Sequence, residues 1–171
     1  MSDTLKTIKC PACQKEMVKV FIPSEGINID ICLNGCGGIY FDNREFDRFD
    51  EQHENIDDII KAIEGKTFKL VDETLTRICP VCGAKMAKKY ASAKKEILVD
   101  DCYSCGGKFL DNGELQKIRA QYATAAERSE AFMNMIYDTV GKDIKALNEK
   151  DKLLRAKRPL FKKLLDKILG I

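Results

Sequence analysis

Apolar positions follow two different rhythms along the chain. Residues 17–22 are apolar-rich and β-branched, and Ser24-Glu25-Gly26 reads as a turn. Ile27, Ile29 and Ile31 then alternate with polar residues. Period-two alternation marks a half-buried strand, so this stretch predicts a β-hairpin. The rhythm changes at Asp42-Asn43-Arg44-Glu45, which has the spacing of a capping box. In such a box the Asp accepts from an orphan N–H and the Glu three residues on reaches back. It predicts a helix over about residues 43–53, with Phe46 and Phe49 on one side. A second short helix is expected over 56–64, ended by Gly65, and then a strand or extended linker over 67–71. The stretch 42–77 is net acidic, an acidic connector.

Beyond residue 111 the pattern is helical. Leu115, Ile118 and Tyr122 suggest one helix. Phe132, Met135, Ile136, Val140, Ile144 and Leu147 keep the three-and-four spacing of an amphipathic helix. Residues 155–171 are basic, and Leu160, Phe161, Leu164, Leu165, Ile168 and Leu169 share one side. Pro159 suits the first turn of a new helix there, and Gly170 a stop.

The hairpin pattern occurs twice. At an offset of 69 residues, the distance from Cys10 to Cys79, the residues Cys10, Cys13, Met17, Cys36, Gly37, Gly38, Asp42, Asn43 and Glu45 meet identical residues. Tyr40 and Phe41 meet Phe109 and Leu110. Between the cysteine pairs the match slips by one residue. Cys32-Leu33-Asn34-Gly35-Cys36 absorbs the slip, being one longer than Cys102-Tyr103-Ser104-Cys105. The chain thus contains a duplicated unit, at about 5–42 and 75–111.

Each unit carries four thiols in two close pairs: Cys10, Cys13, Cys32 and Cys36, then Cys79, Cys82, Cys102 and Cys105. That is the pattern of a four-thiolate tetrahedral metal site. A unit of about 35 residues cannot bury enough apolar surface to fold alone. A structural zinc contributes about 10–16 kcal/mol of apparent binding energy, enough to merge folding with metal binding. With four protein sulfurs there is no open position for water, so two structural zinc ions are expected, not catalytic ones. Four sulfurs also suit an iron of the rubredoxin kind in electron transfer. The large aromatic core expected around such an iron is missing. A dithiol oxidoreductase or a secreted disulfide scaffold fits the repeated arrangement less well.

Composition adds limits. Apolar residues make up 44% and charged residues 33%. Residues 1–9 lack a charged-then-apolar signal pattern, and no run approaches the roughly 18 apolar residues of a spanning helix. The cytoplasm, where thiols stay reduced, is the expected location. The formal charge is +2 with every Cys neutral. Two four-thiolate zinc centres of net −2 each would bring it to −2, which argues neither for nor against nucleic acid.

These motifs resemble the TFIIB-type zinc ribbon, or transcription factor zinc-finger, family of bacteria and archaea. The shared features are Cys-Pro-x-Cys with a Met four residues later, a hairpin, Cys-x-x-Cys-Gly-Gly, an apolar-aromatic pair and Asp-x-x-Glu before an apolar residue. They run from Cys10 to Phe46 and from Cys79 to Leu115. The first unit departs in its longer second knuckle. Tyr40 and Phe109 stand where the family usually has Trp. The resemblance implies a zinc-binding ribbon with the eight cysteines as ligands. The fold expected is α+β, small and metal-stabilised: two tandem zinc-ribbon β-hairpin units, each followed by helix, with a helical C-terminal region. The expected pieces are ribbons at 1–42 and 75–111, a connector at 43–74 and a helical region at 112–171. Were the two ribbons independent, losing Cys13 would unfold the first and leave the second site filled.

No convergent catalytic groups accompany the cysteines. Related ribbons that cleave transcripts use an acidic pair at the hairpin tip, and the tips here are Ser24-Glu25-Gly26 and Ala91-Ser92-Ala93. The expectation is a non-enzymatic binding module, transcription-associated through protein or nucleic-acid contacts. A protein partner is preferred. Nucleic acid would use Lys85, Lys88, Lys89, Lys94 and Lys95, which also read as solvated guards of an edge strand. Residues 155–171 fit docking on the preceding helix, a partner groove or an anionic membrane surface, in that order. His53 reads as a surface helix residue, and Met17 and Met86 as core plugs. Asp57-Asp58 reads as a solvated helix start, and Asp100-Asp101 as structural.

Overall fold

The computed structural model describes residues 6–169, with side chains described through residue 157. In chain order it has β1 (Val18–Ile22), β2 (Ile27–Ile31), β3 (Ile39–Phe41), a 3-10 turn (Phe46–Arg48), α1 (Asp57–Ile63), β4 (Ala87–Tyr90), β5 (Leu98–Asp101), β6 (Lys108–Leu110), α2 (Glu114–Arg119) and α3 (Ala125–Leu169). The predicted turn closes the first hairpin. The Glu25 and Gly26 N–H groups donate to Ile22 O, and Gly26 supplies a φ of 66°, a value that costs Gly little.

The two ribbons share one antiparallel sheet, ordered β1-β2-β3-β6-β5-β4. They join through β3 and β6, where Ile39 pairs with Leu110, Tyr40 with Phe109, and Phe41 with Lys108. Tyr40 faces Phe109, its counterpart at the 69-residue offset, so the junction maps onto itself when the ribbons are exchanged. The ribbons are therefore not independent bodies. Met1–Arg128 forms one compact unit that takes in both ribbons and the connector, and Ser129–Ile171 forms a second. The boundaries drawn from the sequence at residues 42, 74 and 111 do not separate bodies, because strand pairing and packing cross each of them.

Alternation along the strands divides the unit into two cores. Ile39, Phe41 and Leu110 join Ile29, Ile31, Phe46, Phe49, Ile59, Leu115 and Ile118 in an aliphatic and aromatic core. There the Phe41 ring stands 5.7 Å from Phe46 and 5.8 Å from Phe49. Tyr40 and Phe109, one residue out of phase, join Met17, Met86 and the buried cysteines in the other. Both Met residues thus plug the core as the sequence suggested. β2 is more deeply covered than a half-buried strand, for Asp30 is buried as well. Lys19, its cross-strand partner, reaches Asp30 at 2.9 Å and satisfies the charge.

The helix expected over about 43–53 is only the 3-10 turn Phe46–Arg48. Arg44 adopts a φ of 69°, so the helix cannot include it, but the repeat-equivalent Gly113 takes the same left-handed conformation at φ 84° and α2 follows it. The difference lies further along the segment: the Arg119 guanidinium from α2 donates to Phe49 O (2.6 Å), Gln52 O (3.0 Å) and Glu54 O (2.7 Å). Those carbonyls face the guanidinium instead of a helical N–H. Arg128 pairs with Asp50 and Glu51 of the same segment.

The glutamate half of each capping box forms. Glu45 accepts from the Asp42 N–H at 2.8 Å, and Glu114 from the Asp111 N–H at 2.7 Å. The Asp111 carboxylate instead meets buried Arg77 at 3.4 Å. The helix expected over 56–64 is α1, with Asp57 and Asp58 in its first turn and Gly65 at φ 68° just past its end. Residues 67–71 form no strand.

α3 starts at a box that the sequence reading overlooked. Thr124 Oγ1 accepts from the Glu127 N–H, and Glu127 accepts from the Ala123 N–H. The helix then runs through Pro159, where a new helix was expected to start. Pro forfeits one hydrogen bond, but Leu, Lys, Arg and Ala on both sides are strong helix formers and carry the helix through. The side chains of 158–171, with the apolar stripe expected there, and the stop at Gly170 lie outside the described residues. Among the described residues no helix is long and apolar enough to cross a membrane.

Candidate metal centres

Each Cys-Pro-x-Cys folds as a tight knuckle. The Cys10 N–H donates to Lys15 O (2.7 Å) and the Gln14 N–H to Cys10 O (2.9 Å). The Cys79 N–H donates to Ala84 O (2.8 Å) and the Gly83 N–H to Cys79 O (2.9 Å). The second knuckles close likewise, through Gly37 N–H to Cys32 O (3.1 Å) and Gly106 N–H to Cys102 O (2.7 Å). Gly37 and Gly106 take φ values of 75° and 81°, which explains the first Gly following each pair.

The extra residue of the first unit is accommodated beside Gly35. A Cβ there would lie 2.7 Å from both Cys13 Sγ and Cys32 Sγ, so any larger residue would enter the sulfur cluster. The longer knuckle is also held from outside. The Lys69 N–H donates to Gly35 O at 3.0 Å, and the Phe68 ring covers Gly37. The 67–71 segment is thus a clamp on the first knuckle.

All eight sulfurs gather as two tetrads, each with its sulfurs within 4.8 Å of one another. In the first, Cys10–Cys36 and Cys13–Cys32 are 3.4 Å apart; in the second, Cys79–Cys105 is 3.5 Å and Cys82–Cys102 3.4 Å. A zinc tetrahedron with sulfurs at about 2.3 Å from the metal has edges of about 3.8 Å. The cysteines are free, with separations far above the roughly 2.05 Å of a disulfide. Donor type, number and spacing fit two zinc ions, one per tetrad.

The electrostatics of crowded thiols point the same way. Hydrogen bonding with Cys10, then Cys36, stabilises the Cys32 thiolate and lowers that thiol to about 2, while Cys10 is pushed up as its partner in that bond. The Ala84 backbone N–H lowers exposed Cys82 to about 6. Burial pushes Cys105 up to about 12. Four thiols this close share protons instead of ionising together. A divalent cation removes that conflict, since coordinated thiols are deprotonated outright.

The remaining singled-out residues lie apart from the tetrads. His53 is exposed on an irregular turn instead of a helix, with Glu51 3.3 Å away. Asp100 and Asp101 have structural roles. Asp100 pairs with Lys88 at 3.1 Å and lies near Arg77, and Asp101 meets Lys108 at 3.1 Å and Lys89 at 3.8 Å. Lys94 binds Gln121 O and stands 4.7 Å over the Tyr122 ring. Three of the five lysines of the second unit's basic cluster are thus engaged within the fold.

Sequence reasoning missed Tyr40, whose hydroxyl lies 3.2 Å from Cys79 Sγ, in the other ribbon. Burial, then the bond to Cys79, pushes its phenol up. The signal was the pairing of Tyr40 and Phe109 across the repeat, each two residues after a Gly-Gly.

Comparison with curated proteins and with solved structures yields no match. The family described as transcription factor zinc-finger, a TFIIB-type zinc ribbon, matches residues 9–51 and 78–121. Each match holds one complete tetrad, and together the two span half the chain. The chain belongs to the transcription factor zinc-finger family, in two tandem zinc-ribbon copies.

Proposed function

We propose that the protein is a non-catalytic interaction module in which zinc, held by all eight cysteines, fixes the ribbon unit, and α3 binds a protein partner. The observation that carries this reading is the apolar face of α3. Phe132, Val140, Ile144 and Leu147 recur at helical spacing and are each about half exposed or more. Such a face fits a helix-in-groove contact. Four protein sulfurs per zinc support a structural role for the metal. Free thiols at such spacing suit a reducing, cytoplasmic setting. The engagement of Lys88, Lys89 and Lys94 within the fold leaves less charge for phosphate contacts and favours protein over nucleic acid. A transcription-associated partner is the specific form of the proposal that the family description supports.

The test uses the full chain as bait in extracts of the source organism, beside a Phe132→Asp, Ile144→Asp double variant. Both substitutions lie on exposed helix surface and leave the tetrads intact. A specific partner should be retained by the parent protein and lost at least tenfold by the variant, as for loss of interface hot spots. Equal retention by both proteins contradicts the assignment to α3. Retention abolished by nuclease, and falling steeply with salt, would transfer the function to nucleic acid.

A further inference from the structure

Tyr40 belongs to the first ribbon, yet its hydroxyl serves the second. It sits at the middle of β3 with its side chain fully buried. Its Oη lies 3.2 Å from Cys79 Sγ and 3.7 Å from Cys105 Sγ. The ring occupies space that a glycine leaves open, for a Cβ on Gly107 would fall 2.0 Å from the Tyr40 hydroxyl. Phe109 of the second ribbon takes the corresponding place over the first, where a Cβ on Gly38 would fall 2.3 Å from its Cζ. The two rings are exchanged across the β3–β6 junction, and each covers the other ribbon's Gly-Gly knuckle. Only one of the two rings carries a hydroxyl.

A phenol is protonated at neutral pH and donates, while a zinc-bound thiolate only accepts. A hydrogen bond to an ionised acceptor is stronger than a neutral one. Cys79 and Cys105 come from the two different knuckles of the second tetrad, so one hydroxyl touches both halves of the site. Donors to metal ligands fix the ligand orientation and tune its affinity for the metal. We infer that Tyr40, supplied by the first ribbon, is a hydrogen-bond donor to the metal-binding thiolates of the second centre, strengthening that centre's hold on zinc and tying it to the folded first ribbon. This inference is independent of what α3 binds.

The experiment compares the full-length protein with Tyr40→Phe and Phe109→Tyr, each loaded with zinc or with cadmium-113. Cadmium NMR resolves one resonance per four-sulfur centre, assigned through coupling to the cysteine β-protons. Tyr40→Phe keeps the ring and removes only the hydroxyl. It should move the second-centre resonance alone and accelerate release of that zinc to a chromogenic chelator by about 10–100-fold, the usual loss for outer partners of metal ligands. Phe109→Tyr should move the first-centre resonance. Wild-type resonances and release rates in Tyr40→Phe would overturn the inference. So would equal loosening of both centres, which would mean that the substitution disturbs the shared β3–β6 seam and not one set of thiolates. If Tyr40→Phe fails to fold, the parent protein decides: scalar coupling between the Tyr40 hydroxyl proton and the second-centre cadmium supports the inference, and its absence overturns it.

Discussion

Replacing Cys13 with Ser should empty the first centre and also loosen the second by at least tenfold in zinc affinity. The first tetrad would keep three sulfurs and lose most of the roughly 10–16 kcal/mol that a structural zinc provides. A ribbon of this size has too little core to stay folded without it. Its collapse would withdraw β3, which pairs with β6 of the second ribbon. It would also withdraw Tyr40 from Cys79 and expose Phe109, now fully buried. Zinc content after dialysis against a weak chelator, together with hydrogen exchange of the β6 amides, would measure this. One zinc retained at parental affinity, with β6 still protected, would show that the ribbons stand alone.

Phe41→Ala should cost about 3–5 kcal/mol, the range for truncating a large buried aromatic. Phe41 is fully buried and packs edge-on against Phe46 and tilted against Phe49, so the cavity would open at the centre of the apolar core. The same strand pairs with β6, so the damage would reach the junction of the two ribbons. Phe21, which is 56% exposed on β1, provides the control. Phe21→Ala should change stability by about 0.5 kcal/mol or less. Denaturant titration in excess zinc would separate the two. Similar losses for both variants would contradict the placement of the core.

The metal side of this protein was legible in the sequence because coordination chemistry dictates spacing. Two close thiol pairs around an alternating segment leave few other arrangements, and the first Gly after each second pair takes the positive φ of a tight knuckle. The Glu three residues past each Asp identified a real reach-back bond, but not whether a helix would follow. That was decided by Arg119, whose carbonyl targets in the 49–54 segment lie 65 or more residues away in sequence. The shared sheet was also hidden. β3 and β6 have three residues each and are buried on both faces, apart from Lys108, so they show no alternation to read. Ile39-Tyr40-Phe41 therefore looked like an apolar pair after a knuckle, not like the seam between two ribbons. The continuation of α3 through Pro159 shows a local breaker outweighed by strong helix formers on both sides.

Two zinc–thiolate centres hold one fused six-stranded unit. Native mass spectrometry of the full chain from iron-replete cells, with elemental analysis of the same sample, tests it most directly. Two zinc ions per chain, lost together with the folded charge-state distribution when a strong chelator is added, is the predicted result. One zinc or none, or a red protein carrying iron, would contradict it.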